Sequence, residues 1–216
     1  MNKEIYFIWT QGENQIPSIM KQNIEFVRQQ NLDYKITIYD IEKFIDFLKD
    51  KPTDLLDCFN KLNKKCHAMI SDYIRIILLY YNGGVYMDIK TRPKQPLSTF
   101  LTEDKAYFFK HNIWEDYMTS FIASNRYNTL LSDMIIKMKY NINNYHSLNL
   151  QGNAHTKVIN FLGPAVLTAL IQNNNYKDIV LMNNALRLKY IQHTFIRNYH
   201  KYYESYHRFK EPLVIL

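Results

Sequence analysis

Residues 68–93 of this chain bring together charged side chains at spacings that suit ligand chemistry. The segment reads AMISDYIRIILLYYNGGVYMDIKTRP. Asp72 and Arg75 are three residues apart in a helical pattern, so their side chains are neighbours on the helix surface. Asp88 and Lys90 are two residues apart in the apolar strand that is predicted to follow. Because residues two apart in a strand share a face, a carboxylate and an ammonium leave the end of this strand on the same side. Because ligands of open α/β sheets bind beyond the carboxyl ends of the strands, the segment predicts a ligand site there.

Each of these residues also has a purely structural interpretation. A helical Asp–Arg pair is often an exposed ion pair that contributes about 0–1 kcal/mol to stability. A carboxylate such as Asp88 at a strand end often caps the loop that follows. A lysine such as Lys90 is typical of a solvated strand edge. Spacing alone leaves both interpretations open for all four residues.

Strands and helices alternate along the chain around this segment. The clearest helix is predicted over 65–81, because Gly83 and Gly84 follow it and glycine just past the last periodic residue is a stop signal. Short apolar or β-branched runs predict strands over 5–9, 34–39, 85–89, 106–109, 120–123 and 179–182. Apolar spacing predicts further helices from Pro17 to about residue 30, after Asp40, after Pro52, over 130–140 and from Pro164. This alternation predicts an α/β sheet with crossover connections.

Length and composition limit the class of protein. The chain has 216 residues, of which 22% are charged and 47% hydrophobic. These values predict a single domain over 1–216, with an aromatic and basic tail over 195–216, and exclude wholesale disorder. Cys58 and Cys66 are too few for a disulfide framework or a structural zinc site, and we expect reduced thiols. With no apolar run of about 18 residues and no signal-peptide pattern, we expect a cytoplasmic protein without a transmembrane segment, or one peripheral to a membrane.

The net charge of +7 favours anionic partners. A basic chain with 18 tyrosines could bind nucleic acid, since aromatic rings stack on bases and cations meet phosphates. The basic residues are scattered, however, and the densest cluster is only Lys61, Lys64 and Lys65. No recognition motif is present either, so nucleic acid is an alternative partner that we do not expect.

The order of motifs along the chain resembles a known family. An apolar strand ends in Trp9, a Ser-Asp-x-x-Arg helix follows at 71–75, and Gly-Gly-x-Tyr-x-Asp comes about eight residues later at 83–88. This order is similar to glycosyltransferase family 32, whose sugar-binding region contains an Asp-x-Asp motif. The family includes fungal mannosyltransferases and capsular polysaccharide enzymes, and the large clostridial glucosylating toxins are distant relatives.

The resemblance implies both a fold and an activity. The fold would be GT-A, a Rossmann-like, mixed, mostly parallel α/β sheet flanked by helices. The activity would be the transfer of a sugar from a nucleotide-diphosphate donor, UDP- or GDP-linked, to a glycan, lipid-linked or protein acceptor. The resemblance also implies that the anomeric configuration is retained.

Matching positions carry implied roles. Trp9 takes the place of an aromatic residue that stacks on the nucleotide base, although a strand-end tryptophan is also often a core residue. Asp72 and Arg75 match a pair that binds the donor sugar. Tyr86 and Asp88 match residues near the diphosphate and a divalent cation, Mn²⁺ or Mg²⁺, with Asp88 as a metal ligand.

The third position of the Asp-x-Asp motif is Lys90, where the family usually has a second Asp. A departing diphosphate develops negative charge, and preorganised charge at such a site contributes about 3–4 kcal/mol. In one interpretation, Lys90 takes over part of the metal's role and acts with Asp88 as the catalytic pair. In another, Asp88 binds the cation with water and phosphates alone. In a third, the protein binds a sugar nucleotide or glycan without turnover.

Two histidines near the C-terminus are further candidates for donor binding. His193 and His200 lie where family members often have a histidine segment close to the diphosphate. The Ser-Trp pair that commonly follows is absent, and ordinary surface or core roles are the alternative.

Overall fold

A six-stranded mixed sheet forms the centre of the computed structural model, which describes residues 1–111, 116–192 and 209–215. Its strands are β1 Glu4–Ile8, β2 Lys35–Tyr39, β3 Gly84–Met87, β5 Ala106–Lys110, β6 Tyr117–Ser124 and β7 Ile179–Met182, and a separate ribbon pairs β4 Arg92–Pro93 with β8 Ile191–Gln192. The helices are α1 Ser18–Gln30, α2 Ile41–Leu48, α3 Thr53–Lys61, α4 His67–Asn82, α5 Thr129–Asn143, α6 Ala154–Phe161, α7 Pro164–Asn173 and α8 Asn184–Tyr190.

The strand order is β2-β1-β3-β6-β5-β7. β1 runs parallel to β2 and to β3, and β5 runs parallel to β7. β6 is inserted antiparallel between β3 and β5. The helical crossovers between β1, β2 and β3 account for their parallel pairing. The prediction of a mixed, mostly parallel α/β sheet is therefore confirmed.

Apolar side chains cover both faces of the sheet. On one face, the central helix α4 packs with α2, α3, α5, α6 and α7 in one buried cluster. On the other face, α1 packs with the segment around Phe100 and with Ile191 in a second cluster. Because α4 is enclosed by sheet and helices, ten of its sixteen residues are buried, including polar ones.

The turn from α4 to β3 depends on two glycines. Gly83 has a φ of 66°, and its amide donates to the Leu79 carbonyl oxygen over 2.8 Å, which ends the helix. Gly84 has a φ of 99°, and a Cβ there would lie 2.6 Å from the carbonyl oxygen of Glu4. Glycine at this position therefore lets β3 lie directly beside β1.

The observed elements differ from the predicted ones at several places. β3 ends at Met87, two residues earlier than predicted, and the Thr91 amide donates to the Asp88 carbonyl oxygen over 2.7 Å. Lys90 therefore lies in a turn beyond the strand. The prediction that Lys90 belongs to the strand, and that strand alternation sets the direction of its side chain, is wrong. Helices α6 and α8 were not expected, because their mixed polar and apolar residues show no clear apolar period. Of the tail over 195–216, the described part, 209–215, packs against the chain through a bridge between Leu62 and Val214.

The structure bears on the expectations about the thiols and about membrane-spanning helices. Cys58 and Cys66 are both free and buried, as expected for reduced thiols. Among the described residues, no single helix has the length and hydropathy to cross a membrane, although α6 and α7, bent by 41° at the break between them, meet that test as a pair.

Candidate active site

A cavity of about 890 Å³ opens beyond the carboxyl ends of β1 and β3. Six residues singled out from the sequence line it together: Trp9, Asp72, Arg75, Tyr86, Asp88 and Lys90. His193 and His200, the two histidines predicted to bind the donor, lie outside the described residues. The cavity volume lies within the usual range for small-molecule and cofactor sites, about 300–1,000 Å³.

Arg75 is the centre of the charged groups in this cavity. The Nη1 atom of Arg75 lies 3.0 Å from Asp72 Oδ1 and donates over 2.8 Å to the carbonyl oxygen of Thr119 on β6. Nη2 lies 3.7 Å from Asp88 Oδ1, and Nε donates to the helix carbonyl of Ser71. The Asp72 and Arg75 side chains are only 8% and 7% exposed. The interpretation of Asp72 with Arg75 as a surface ion pair is therefore wrong.

The burial of Asp72 outweighs the attraction of its partner. Desolvation raises the pKa of the Asp72 carboxyl to about 6, although the Arg75 guanidinium acts in the opposite direction. The nearby Asp88 charge also raises this pKa, and a long 3.5 Å contact from the Thr119 hydroxyl lowers it slightly. An ionised Asp72 is therefore held at a cost to the fold, as is common for buried ion pairs.

This pKa leads to a prediction for pH-dependent stability. Because the folded pKa lies above the ordinary value of 3.8, the folded state binds the proton more tightly between about pH 4 and pH 6. The stabilisation linked to Asp72 is therefore present below pH 4 and is lost as pH rises through 6. Urea unfolding at pH 4 to 7 should show the wild type gaining stability relative to Asp72→Asn as the pH falls. A constant difference between the two proteins would contradict the raised pKa.

Tyr86 and Asp88 form the second part of the charged network. The Tyr86 hydroxyl donates to Asp88 Oδ1 over 2.7 Å, and the Arg75 Cζ lies 4.4 Å from the centre of the Tyr86 ring. Burial raises the pKa of Tyr86 well above its usual 10, and the Asp88 carboxylate adds to the effect. Tyr86 therefore stays a hydrogen-bond donor at neutral pH and holds the Asp88 carboxylate in one orientation.

The motif that the resemblance assigns to a divalent cation offers it one carboxylate, Asp88. Within the described ranges, no group of three or more His, Cys, Asp or Glu side chains could hold a metal ion. At the motif, Asp88 supplies one carboxylate, which also faces Arg75, and Lys90 stands where the family usually has the second. The motif residues therefore do not fit a cation held by a pair of motif carboxylates, although Asp116 and Glu211 also line the cavity. The Mn²⁺ or Mg²⁺ that the resemblance implies stays a prediction.

The end of β1 and the start of α4 form the neighbouring wall. Trp9 follows β1, is 6% exposed, and both lines the cavity and packs in the second apolar cluster. Thr10 Oγ1 lies 2.8 Å from Nδ1 of His67, the first residue of α4. His67 therefore lies at the start of α4 and also lines the cavity.

Sequence reasoning missed the wall of the cavity that α6 and the C-terminal segment supply. That wall includes Asn153, His155, Thr156 and Ile159 at and within α6, and Phe209 from the C-terminal segment. Thr119 and Ser120 on β6 were also missed as site residues. The signal for them was two adjacent hydroxyl residues in a mostly apolar strand, because they break its apolar pattern.

Comparison with known protein families places this chain among polysaccharide-related sequences. Residues 1–210 match the model of a family described as capsular polysaccharide synthesis protein. One curated relative is the uncharacterized glycosyltransferase L373 of Acanthamoeba polyphaga mimivirus. It is 28% identical over an alignment of 189 residues, which covers 83% of this chain and 70% of the relative.

Solved structures share the fold at lower identity. The PaToxG glycosyltransferase matches with a TM-score of 0.58 and 19% identity, over 80% of this chain and 69% of that one. The UDP-bound glycosyltransferase domain of the YGT toxin matches with a TM-score of 0.62 and 10% identity, over 83% of this chain and 79% of the domain. At these identities the likeness shows a common fold.

Proposed function

The chain belongs to the family of capsular polysaccharide synthesis proteins and is a glycosyltransferase with a GT-A-like fold, and we propose that it moves a sugar from a UDP- or GDP-linked donor to a glycan. The observation that carries this proposal is the network of Asp72, Arg75, Tyr86 and Asp88 in one cavity at the carboxyl edge of the sheet. Such an edge is where open α/β folds bind nucleotides.

The donor lies along the wall formed by β1, α4 and β3. Trp9, at the end of β1, contacts the base. Asp72 and Arg75, which are buried and mutually oriented, contact hydroxyls of the sugar. Asp88 lies beside the diphosphate. A cavity of about 890 Å³ leaves room for such a donor together with the reacting end of an acceptor. One structural neighbour, the glycosyltransferase domain of the YGT toxin, is UDP-bound, which supports a nucleoside diphosphate as ligand.

The positive charge at the diphosphate comes from Lys90. The leaving group gains negative charge as its bond to the sugar breaks, and a lysine ammonium can meet that charge with three donors. Lys90 lines the cavity two residues after Asp88. It lies in the turn that is closed by the hydrogen bond from the Thr91 amide to the Asp88 carbonyl oxygen. The third position of the motif is Lys90 rather than a second aspartate, which supports a lysine in that role.

Lys90→Asp should convert the site from lysine-dependent to cation-dependent binding. In EDTA, we expect this variant to bind UDP or GDP about 10–100-fold more weakly than the wild type, because a charge-assisted hydrogen bond is lost and a carboxylate faces the phosphates. Adding Mn²⁺ should restore much of that affinity, since Asp88 and the new carboxylate can share the ion. Isothermal titration with both nucleotides, with and without Mn²⁺, measures the change.

Lys90→Met is the matched control, because it removes the ammonium without adding a ligand. We expect this variant to bind as weakly as the aspartate variant in EDTA and to gain little from Mn²⁺. A wild type that binds UDP and GDP only with Mn²⁺, alongside a methionine variant of wild-type affinity, would contradict the role of Lys90.

The transfer proceeds with retention, as the resemblance implies. The bond between the anomeric carbon and the phosphate oxygen breaks, and the acceptor oxygen bonds to the same carbon on the same face. The acceptor proton passes to the leaving phosphate oxygen, so no protein base takes part. Lys90 and Arg75 stabilise the negative charge on the donor side as it develops.

The wall opposite the donor suits a glycan acceptor. Thr156 and His155 present polar groups there, while Ile159 and Phe209 present apolar surface. A sugar ring has the same mixture, with hydroxyls at its edge and C–H groups on its face. This match supports a carbohydrate as the acceptor.

Nucleotide release from a panel of donors tests the proposal. We expect the wild type to release UDP or GDP from at least one of UDP-glucose, UDP-N-acetylglucosamine, UDP-galactose and GDP-mannose, with or without Mn²⁺, and faster when oligosaccharides are added. Tight binding without release on any donor would instead support a non-catalytic sugar-nucleotide or glycan binder.

A further inference from the structure

Ser120 occupies a fixed place beside the proposed reacting groups. It lies on β6, is 7% exposed, and lines the cavity. The Asp88 amide donates to the Ser120 carbonyl oxygen over 2.8 Å, which continues the β3–β6 pairing beyond the end of β3. The carbonyl of the preceding residue, Thr119, accepts from Arg75. The backbone of Ser120 is therefore held between the two charged groups of the site.

The hydroxyl of Ser120 is buried without a hydrogen-bond partner. Its Oγ has almost no accessible surface, and no described residue donates to it or accepts from it. Buried polar groups are nearly always paired, so an orphaned one calls for a specific explanation. Ser124 on the same strand shows the ordinary arrangement, because its hydroxyl donates over 2.9 Å to the Asn125 carbonyl oxygen.

We propose that the Ser120 side chain turns about χ1 when the donor binds, and that its hydroxyl then hydrogen-bonds a hydroxyl of the transferred sugar and so contributes to the choice of donor. This inference rests on the proposed function and deepens it, since it assigns a residue to sugar selection. A serine hydroxyl both donates and accepts, as a sugar hydroxyl does, so the two groups suit each other in either direction. The neighbouring Asp72–Arg75 pair places this part of the wall beside the sugar, whereas Lys90 serves the diphosphate.

Removing the hydroxyl should separate sugar binding from diphosphate binding. We expect Ser120→Ala to bind its best nucleotide sugar, chosen from UDP-glucose, UDP-N-acetylglucosamine, UDP-galactose and GDP-mannose, about 5–10-fold more weakly than the wild type. Its affinity for the matching UDP or GDP should be unchanged. The melting temperature should stay equal or rise, because the variant loses a polar group that has no partner in the folded protein.

Ser124→Ala is the control on the same strand. It removes a hydroxyl that already has a partner and lies at the other end of β6, so it should lower the melting temperature and leave both affinities unchanged. Isothermal titration and thermal unfolding of the three proteins measure these differences.

Each outcome distinguishes this inference from the function on which it rests. Equal affinities of the wild type and Ser120→Ala for the nucleotide sugar would overturn the role of Ser120 while leaving the transferase proposal standing. An equal loss for nucleotide sugar and free diphosphate would overturn the assignment to the sugar. A wild type that binds none of the nucleotide sugars would overturn the proposed function itself.

Discussion

Asp88→Asn should lower the rate of sugar transfer, as kcat, by about 10²–10³-fold. The Asp88 carboxylate is held by the Tyr86 hydroxyl over 2.7 Å and faces Arg75 at 3.7 Å, so its charge is preorganised in the cavity. Asparagine keeps the size of the side chain and can still accept from Tyr86, but it removes the charge. The reaction should therefore suffer far more than the fold.

Nucleotide release under saturating donor measures this effect. The free energy of unfolding of Asp88→Asn should differ from that of the wild type by less than about 1 kcal/mol, because the hydrogen bond to Tyr86 survives. Asp57→Asn makes the same chemical change on an exposed face of α3 and should leave the rate unchanged. Equal rates for the wild type and Asp88→Asn would remove Asp88 from the chemistry, whether or not a cation is present.

Arg75→Met should destabilise the folded protein by about 3–5 kcal/mol at pH 8. The substitution leaves Asp72 buried and ionised without its partner, and it also removes the hydrogen bonds to the carbonyls of Ser71 and Thr119. In a domain of this size, the melting temperature should fall by roughly 10 °C. The loss should be smaller at pH 5, since Asp72 already has a raised pKa and becomes neutral as the pH falls.

An exposed pair with the same spacing provides the control for Arg75. Arg28 and Glu25 on α1 are also three residues apart and about half exposed, so Arg28→Met should cost less than about 1 kcal/mol. The double variant Asp72→Asn with Arg75→Met should recover part of the stability, because it leaves no uncompensated charge. Urea unfolding that gave similar losses for Arg75→Met and Arg28→Met would show that burial of the Asp72–Arg75 pair is energetically unimportant.

Most of the charged network was predictable because it lies on one continuous piece of chain. Asp72 and Arg75 follow helical spacing on α4, and Gly83 and Gly84 turn the chain into the strand that ends just before Asp88. The exact end of that strand was mispredicted, because the turn at Asp88–Thr91 depends on hydrogen bonds that apolar alternation does not encode. Lys90 reaches the cavity by way of this turn.

The sequence by itself determined the α4–Gly-Gly–β3 unit, the identity of its charged residues and the α/β class, because helical period, glycine stops and apolar runs are short-range properties. The tertiary structure alone decided that Asp72 and Arg75 are buried, that β6 runs antiparallel beside β3, and that Ser120 meets Asp88. It also decided that α6 forms the far wall of the cavity. These features depend on pairings between residues tens of positions apart. Their free energy comes from burial shared by the whole sheet, which no local pattern records.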